Sequence, residues 1–196
     1  MSVLDDKEKT ESIYFRSVAT RSSSGSIPSI IRDLASHLLA NNFDIVFIET
    51  VGAGQSEMRC AAIANRIIVV EGPARGDGIQ AEKAGLLELA DLIIVNKSDL
   101  EGSERVVNDL AVSLGLTNDA PPIIKTSTVT GEGLDDLADM ISNLKERNSS
   151  KRARYRQQLL MAHESVLTQN PRFEIVLDRM SEEGLALQDA LRELSE

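Results

Sequence analysis

Short apolar runs alternate with longer stretches of helical spacing from about residue 13 to residue 147. The runs occupy residues 13–18, 43–48, 66–70, 92–95 and 123–124 with its flanks. Ile and Val crowd them and they are too short for helices, so they predict buried strands of a parallel sheet. Helix-length segments lie between them. Residues 28–40 follow a Ser/Gly stretch and open on a proline suited to a first helical turn. Residues 77–89 start after Gly76, and residues 104–114 stop at Gly115. Leu134, Leu137, Ala138, Ile141 and Leu144 recur at i, i+3, i+4, i+7 and i+10, which is one face of a helix. Strands alternating with helices predict βαβ units and an α/β sheet flanked by helices.

The pattern changes near Asn148. NSSKRARYRQQ is polar and basic, and helical spacing then continues to the end without strands. Phe173, Val176, Leu177 and Met180 make one stripe; Leu187, Leu191 and Leu194 make another. Two readings stay open. These helices pack on the sheet domain, or they form an arm that pairs with another copy of the chain. From Phe173 on, seven acids face two arginines, an acidic surface that the basic residues 151–156 complement. The expected organisation is a flexible start over 1–12, an α/β domain over 13–147 and a carboxyl-terminal helical arm over 148–196.

Composition narrows the function classes. The chain is 42% apolar and 27% charged, ordinary for one globular domain. Its net charge of −10 argues against nucleic acid or an anionic membrane as the main partner. Aromatic residues are 3% with no Trp, which disfavours base-stacking platforms. The single Cys60 excludes an intrachain disulfide and fits a reducing, cytoplasmic compartment. One Cys with two separated histidines cannot make a Cys/His zinc cluster. No run approaches the roughly 20 apolar residues of a membrane span, and the acidic start does not read as a signal peptide.

Three segments carry candidate chemistry. The sharpest is Asn96-Lys97-Ser98-Asp99, directly after the apolar run at 92–95. N-K-x-D at the carboxyl end of a strand is how P-loop GTPases read guanine. The Asp99 carboxylate can accept from both N1–H and the 2-amino group. Adenine lacks that donor pair and leaves a buried carboxylate unpaired, at a cost of roughly 1–3 kcal/mol or more. Asn96 can address the O6/N7 edge, and the Lys97 stem can lie on the base face. The plainer alternative is a turn with a helix cap.

The second segment is Thr126-Ser127-Thr128-Val129-Thr130-Gly131-Glu132-Gly133-Leu134, after the last predicted strand. It resembles the T-S-A-x-T-G-E-G segment whose backbone N–H groups reach guanine O6 in GTPases, with Thr128 where Ala is usual. Here the plainer alternative is a simple helix start at Thr130 or Gly131. The third is Glu49-Thr50-Val51-Gly52-Ala53-Gly54-Gln55-Ser56-Glu57, after the run at 43–48. An acid at a strand end followed by x-x-Gly is the switch II layout, with Glu in place of the commoner Asp. Glu49 would hold Mg²⁺, directly or through water, and the Gly52 N–H would address the γ-phosphate. Gln55 lies three residues past that glycine, so no water-positioning role is carried over to it. A glycine-rich turn between strand and helix is the plainer reading.

The three segments come in GTPase order, and further stretches narrow the match. Residues 46–57, V-F-I-E-T-V-G-A-G-Q-S-E, are similar to the E-T-V-G-x-G-Q-S-E signature of the methylmalonyl-CoA-mutase-associated GTPases of the MeaB/ArgK type. Residues 72–91 resemble that family's P-G-x-G-D-x-x-Q-x-x-K-A-G-x-x-E-x-A-D, and Phe15-Arg16-Ser17-Val18-Ala19-Thr20-Arg21 resembles its switch I strand and loop. Ser22 and Ser26 stand where the family prefers Gly. The resemblance implies a P-loop GTPase fold, use of GTP/GDP and Mg²⁺, and a chaperone-like role. In that role GTP hydrolysis gates cobalamin delivery to an acyl-CoA mutase and protects it.

No G-x-x-x-x-G-K-[ST] occurs in the 196 residues. The family places that P-loop upstream of switch I, so the resemblance implies the carboxyl-terminal part of such a GTPase. Gene truncation, a mis-called start, a split gene and a real short paralogue all fit. The P-loop strand of this class lies beside the strand ending at Glu49, so its absence is expected to leave unpaired edges on apolar strands. Three function hypotheses therefore stand, the first two being a GTP-dependent metallochaperone for an adenosylcobalamin-dependent mutase and a non-hydrolysing interaction module that keeps the base site. A generic GTPase fragment with an unrelated partner is the third. No catalytic residue is assigned.

Overall fold

The computed structural model describes residues 13–18, 30–50, 59–73, 81–115 and 119–195. They fall into two compact units, one up to Phe47 and one from Ile48 onward.

The first unit carries helix α1 (Ile30–Ala40). Asn42 ends it in the left-handed conformation, φ 66°. The Asn41 side chain donates to the His37 carbonyl at 2.7 Å, satisfying one acceptor of the last turn. Tyr14 meets Phe43 edge to face, with ring centroids 6.4 Å apart.

The second unit is a three-stranded parallel sheet with helices. In chain order it runs β1 (Ile68–Glu71), α2 (Ala81–Leu89), β2 (Leu92–Asn96), α3 (Ser103–Leu114), β3 (Ile123–Thr126), α4 (Leu134–Ser142), α5 (Asn148–Thr168), α6 (Phe173–Glu182) and α7 (Leu187–Ser195). The sheet order is β1-β2-β3, both pairs parallel, so the predicted βαβ units form. β2 is central, and Leu92, Ile93, Ile94 and Val95 are all buried, as the unbroken apolar run requires of a strand covered on both faces. Around it close Ala61, Val69, Leu87, Leu89 and Leu110. Each fully buried Leu or Ile contributes about 1.5–3 kcal/mol relative to exposure. Cys60 is buried beside Ala61 and Ala62 in sequence, a small apolar residue as its position suggests.

The helices divide the covering. α3 packs on β2, α4 on β3, α5 on α2, and α6 on α7. The packing of α5 supports the reading in which the segment after Asn148 folds onto the sheet domain. Ser150 and Arg154 are buried in it. The register Asn96↔Thr126 sets the ends of β2 and β3 level, so the chain leaves both strands at one rim.

Two of the predicted strands do not form. Residues 13–18 and 43–48 follow irregular chain. Phe15 is 80% exposed and Phe47 70%. A parallel strand is held by its ladder neighbours and by helices over both faces. Among the described residues these two segments have no strand partner, and apolar composition alone does not hold them extended in a sheet.

Candidate functional site

Asn96 is the last residue of β2, and Lys97 turns the chain in the left-handed region, φ 60°. Asn96 Oδ1 accepts from the Lys97 N–H at 2.8 Å and from Thr126 Oγ1 at 3.4 Å. Its amide nitrogen is left with no partner among the described residues. The Ser98 N–H donates to the Thr126 carbonyl at 2.9 Å, tying the two strand exits together. Lys97 and Asp99 are exposed to solvent.

The second loop is built around Ser127, which is fully buried. Its hydroxyl donates to Asp99 Oδ1. The same oxygen accepts from the N–H groups of Val129 at 3.3 Å and Thr130 at 3.2 Å. The Ser127 N–H donates to the Glu132 carbonyl at 3.0 Å, and the Gly131 N–H to the Ser127 carbonyl at 2.8 Å. Thr128 is exposed at the start of this turn. Gly133 closes it at φ 70°, with the Lys125 carbonyl 2.2 Å from where a Cβ would stand. Only glycine fits there. Lys125 pairs with Glu104, and that contact holds its ammonium above its ordinary pKa.

The structure therefore brings Asn96, Lys97, Asp99, Ser127 and Thr128 to one rim of the sheet. With Ser127 bonded to Oδ1, the Asp99 carboxylate keeps Oδ2 and further lone pairs for two more donors. An acceptor with room for two donors beside an unpartnered amide matches the N1–H, 2-amino and O6/N7 edge of guanine. Glu49 is elsewhere in kind: it stands exposed on irregular chain, in no strand. Gly52 and Gln55 lie outside the described residues. Among the described residues no group of three or more His, Cys, Asp or Glu converges. Sequence reasoning missed Ser98, Ser103 and Glu132 as braces of the site. The E in T-G-E-G was the only signal for one of them.

A parallel sheet of βαβ units with helices over it and loops at the carboxyl ends of adjacent strands fits an incomplete P-loop NTPase-like α/β fold. Comparison with known proteins agrees. The family model of the methylmalonyl Co-A mutase-associated GTPase MeaB matches residues 2–183. The chain belongs to that family. It is 37% identical over 141 residues to a Pyrococcus horikoshii protein that carries a GTPase name, covering 68% of this chain and 44% of that one. It is 30% identical over 134 residues to the mouse mitochondrial methylmalonic aciduria type A homolog, covering 64% of this chain and 32% of that one. GTPase ArgK of Escherichia coli is 35% identical over 96 residues, 49% of this chain and 29% of that protein. The chain thus spans about half or less of the length of the relatives it matches.

Proposed function

We propose that this chain carries the guanine-recognising half and the helical carboxyl-terminal part of a GTP-dependent chaperone for an adenosylcobalamin-dependent acyl-CoA mutase of the methylmalonyl-CoA mutase type. The observation that carries the reading is the Ser127–Asp99 hydrogen bond, which holds a carboxylate at the strand rim beside Asn96. In this reading Asp99 accepts from N1–H and the 2-amino group of guanine, the Asn96 amide donates to the O6/N7 edge, and Lys97 covers the base face. Ser127 braces Asp99, and the backbone around Thr128 faces O6. GTP and GDP are the nucleotides, and Mg²⁺ accompanies the phosphates through Glu49. Gly52 and Gln55 belong to the switch. The mutase relation is supported by family membership and by the name of the mouse relative. The protein works in the cytoplasm as a homodimer joined through its carboxyl-terminal helices. Among the described residues no helix is long and apolar enough to cross a membrane.

The test is base selectivity. Asp99→Asn replaces an acceptor with a donor, so it weakens GDP and favours XDP, whose C2 carries an oxygen. Competition binding with GDP and XDP reads this. An unchanged preference in the variant removes the base site.

A further inference from the structure

Ser98 fills the variable position of Asn96-Lys97-Ser98-Asp99, the one residue of the four with no role toward the base. It is nevertheless held through its N–H, its carbonyl and its hydroxyl. Its N–H donates to the Thr126 carbonyl at 2.9 Å, and its carbonyl accepts from Ser103 Oγ at 3.1 Å. Its own hydroxyl crosses to the other loop and donates to Glu132 Oε2 at 2.9 Å, between residues 34 positions apart. Glu132 is itself fixed by its backbone. Its N–H donates to Thr130 Oγ1 at 3.3 Å, and its carbonyl accepts from the Ser127 N–H at 3.0 Å.

Two features show why such a fastening matters. Lys97 stands at φ 60°, a left-handed conformation that a non-glycine residue keeps only where its surroundings over-determine it. Asp99 is exposed, and the described contact on its carboxylate is the single bond from Ser127 to Oδ1. One bond to one oxygen lets a carboxylate pivot. A two-point contact with guanine needs that pivot stopped.

We propose that Ser98 and Glu132 form a latch, a pair of positioning residues that closes the loop after β2 onto the loop after β3 and so orients Asp99 for guanine. This rests on the guanine reading above. The latch touches no base atom. It acts by fixing the backbone on one side of Asp99, while Ser127 fixes the carboxylate on the other. Glu132 supplies an acceptor that Gln can also supply and Ala cannot.

The experiment uses the full chain and four variants: Ser98→Ala, Glu132→Ala, Glu132→Gln and the double Ser98→Ala/Glu132→Ala. Competition against a fluorescent GDP gives the affinities for GDP and for IDP, which lacks the 2-amino group. Amide hydrogen exchange, without nucleotide, follows residues 97–102, 127–133 and, as a folding control, 92–95. Ser98→Ala and Glu132→Ala are each expected to lower the GDP-to-IDP affinity ratio about three- to tenfold, the worth of one hydrogen bond. The double variant falls no further than either single, and Glu132→Gln keeps most of the ratio. Exchange quickens in both loops whichever residue is changed, and stays slow in 92–95. A merely structural defect would lower GDP and IDP together and leave the ratio alone. An unchanged ratio in Ser98→Ala, or quickened exchange only in the mutated loop, overturns the latch. A wild-type chain that does not prefer GDP to IDP overturns the guanine reading instead, and with it the latch's purpose.

Discussion

Arg154 Nη1 donates to Asp91 Oδ2 at 2.7 Å, joining residues 63 positions apart that are 3% and 1% exposed. Asp91 also accepts from Ser150 Oγ at 2.5 Å and from the N–H groups of Ile67 at 3.0 Å and Arg147 at 3.2 Å. Arg154 reaches Glu146 with its other nitrogen. The pair fastens α5 to the foot of β2, at the end opposite the base loops. Asp91→Asn would leave the buried Arg154 cation with Glu146 as its remaining carboxylate, so the loss should fall below the about 3–5 kcal/mol of a fully broken buried pair. Urea unfolding measures it, and a loss within error of zero would sink this account of how α5 is held.

The same carboxylate makes stability depend on acid. Burial pushes the Asp91 pKa up, but the bonds from Ser150, the Ile67 and Arg147 amides and Arg154 outweigh it and leave it below the usual 3.8. A depressed carboxyl contributes stability above its unfolded pKa and loses it as pH falls through the folded value. The wild-type chain should therefore lose stability more steeply than Asp91→Asn as pH drops below about 4. Parallel slopes for the two proteins in that range would contradict the assignment.

Gly133→Ala and Gly184→Ala make a matched pair. Both glycines have positive φ, 70° and 72°. A Cβ at 133 meets the Lys125 carbonyl at 2.2 Å, whereas nothing lies within 4 Å at 184. Gly184→Ala should cost about 1–2 kcal/mol, the left-handed term alone. Gly133→Ala should cost more, because Lys125 or the base loop must move. Equal losses by thermal denaturation would show that the turn relaxes without resistance.

Tyr155, Leu159, Ala162 and Val166 follow one another on α5 at spacings of four, three and four. Tyr155 is 54%, Leu159 73% and Val166 68% exposed. That is a coiled-coil-like seam on the face away from Arg154. If the proposed homodimer uses it, Leu159→Glu/Val166→Glu should sediment as a monomer with unchanged helix content, and the wild-type chain as a dimer. A monomeric wild type would retire the idea. Deletion from residue 150 is a poor probe, because it removes the buried Ser150 and Arg154.

Hydrolysis by the 196 residues alone should be negligible. No lysine here stands in a phosphate cradle of the G-x-x-x-x-G-K-[ST] kind, and phosphoryl transfer is mostly positioning and charge stabilisation. Phosphate release in the presence of GTP and Mg²⁺ measures it. A fragment that carries a strand and such a loop should restore turnover when added. Robust Mg²⁺-dependent hydrolysis without it would show that another loop, residues 72–78 first, holds the phosphates.

The run at 92–95, with Ile and Val at every position but the first, was legible as a buried parallel strand because a strand covered on both faces needs no alternation. The helix at 134–142 was legible from its apolar period. Asn96, Lys97 and Asp99 were legible as candidates because the N-K-x-D motif ties residue types to a short spacing at a strand end. These are local properties, carried by a handful of neighbouring side chains.

Pairing across the chain was not local. Runs at 13–18 and 43–48 read as strands as readily as the run at 92–95, yet only pairing with a neighbour makes an apolar run a strand, and among the described residues neither run is paired. Asp91 and Arg154 lie 63 positions apart, and Ser98 and Glu132 lie 34 apart; no pattern announces either pair. By itself the sequence determined the α/β alternation and the residue types of the proposed base site, because periodicity and motif spacing are set within a turn or two of chain. Only the tertiary structure decided which carboxylates are braced and where α5 docks. Those depend on the parallel register that levels Asn96 with Thr126 and on burial, where an unpaired charge or donor costs enough to select one partner.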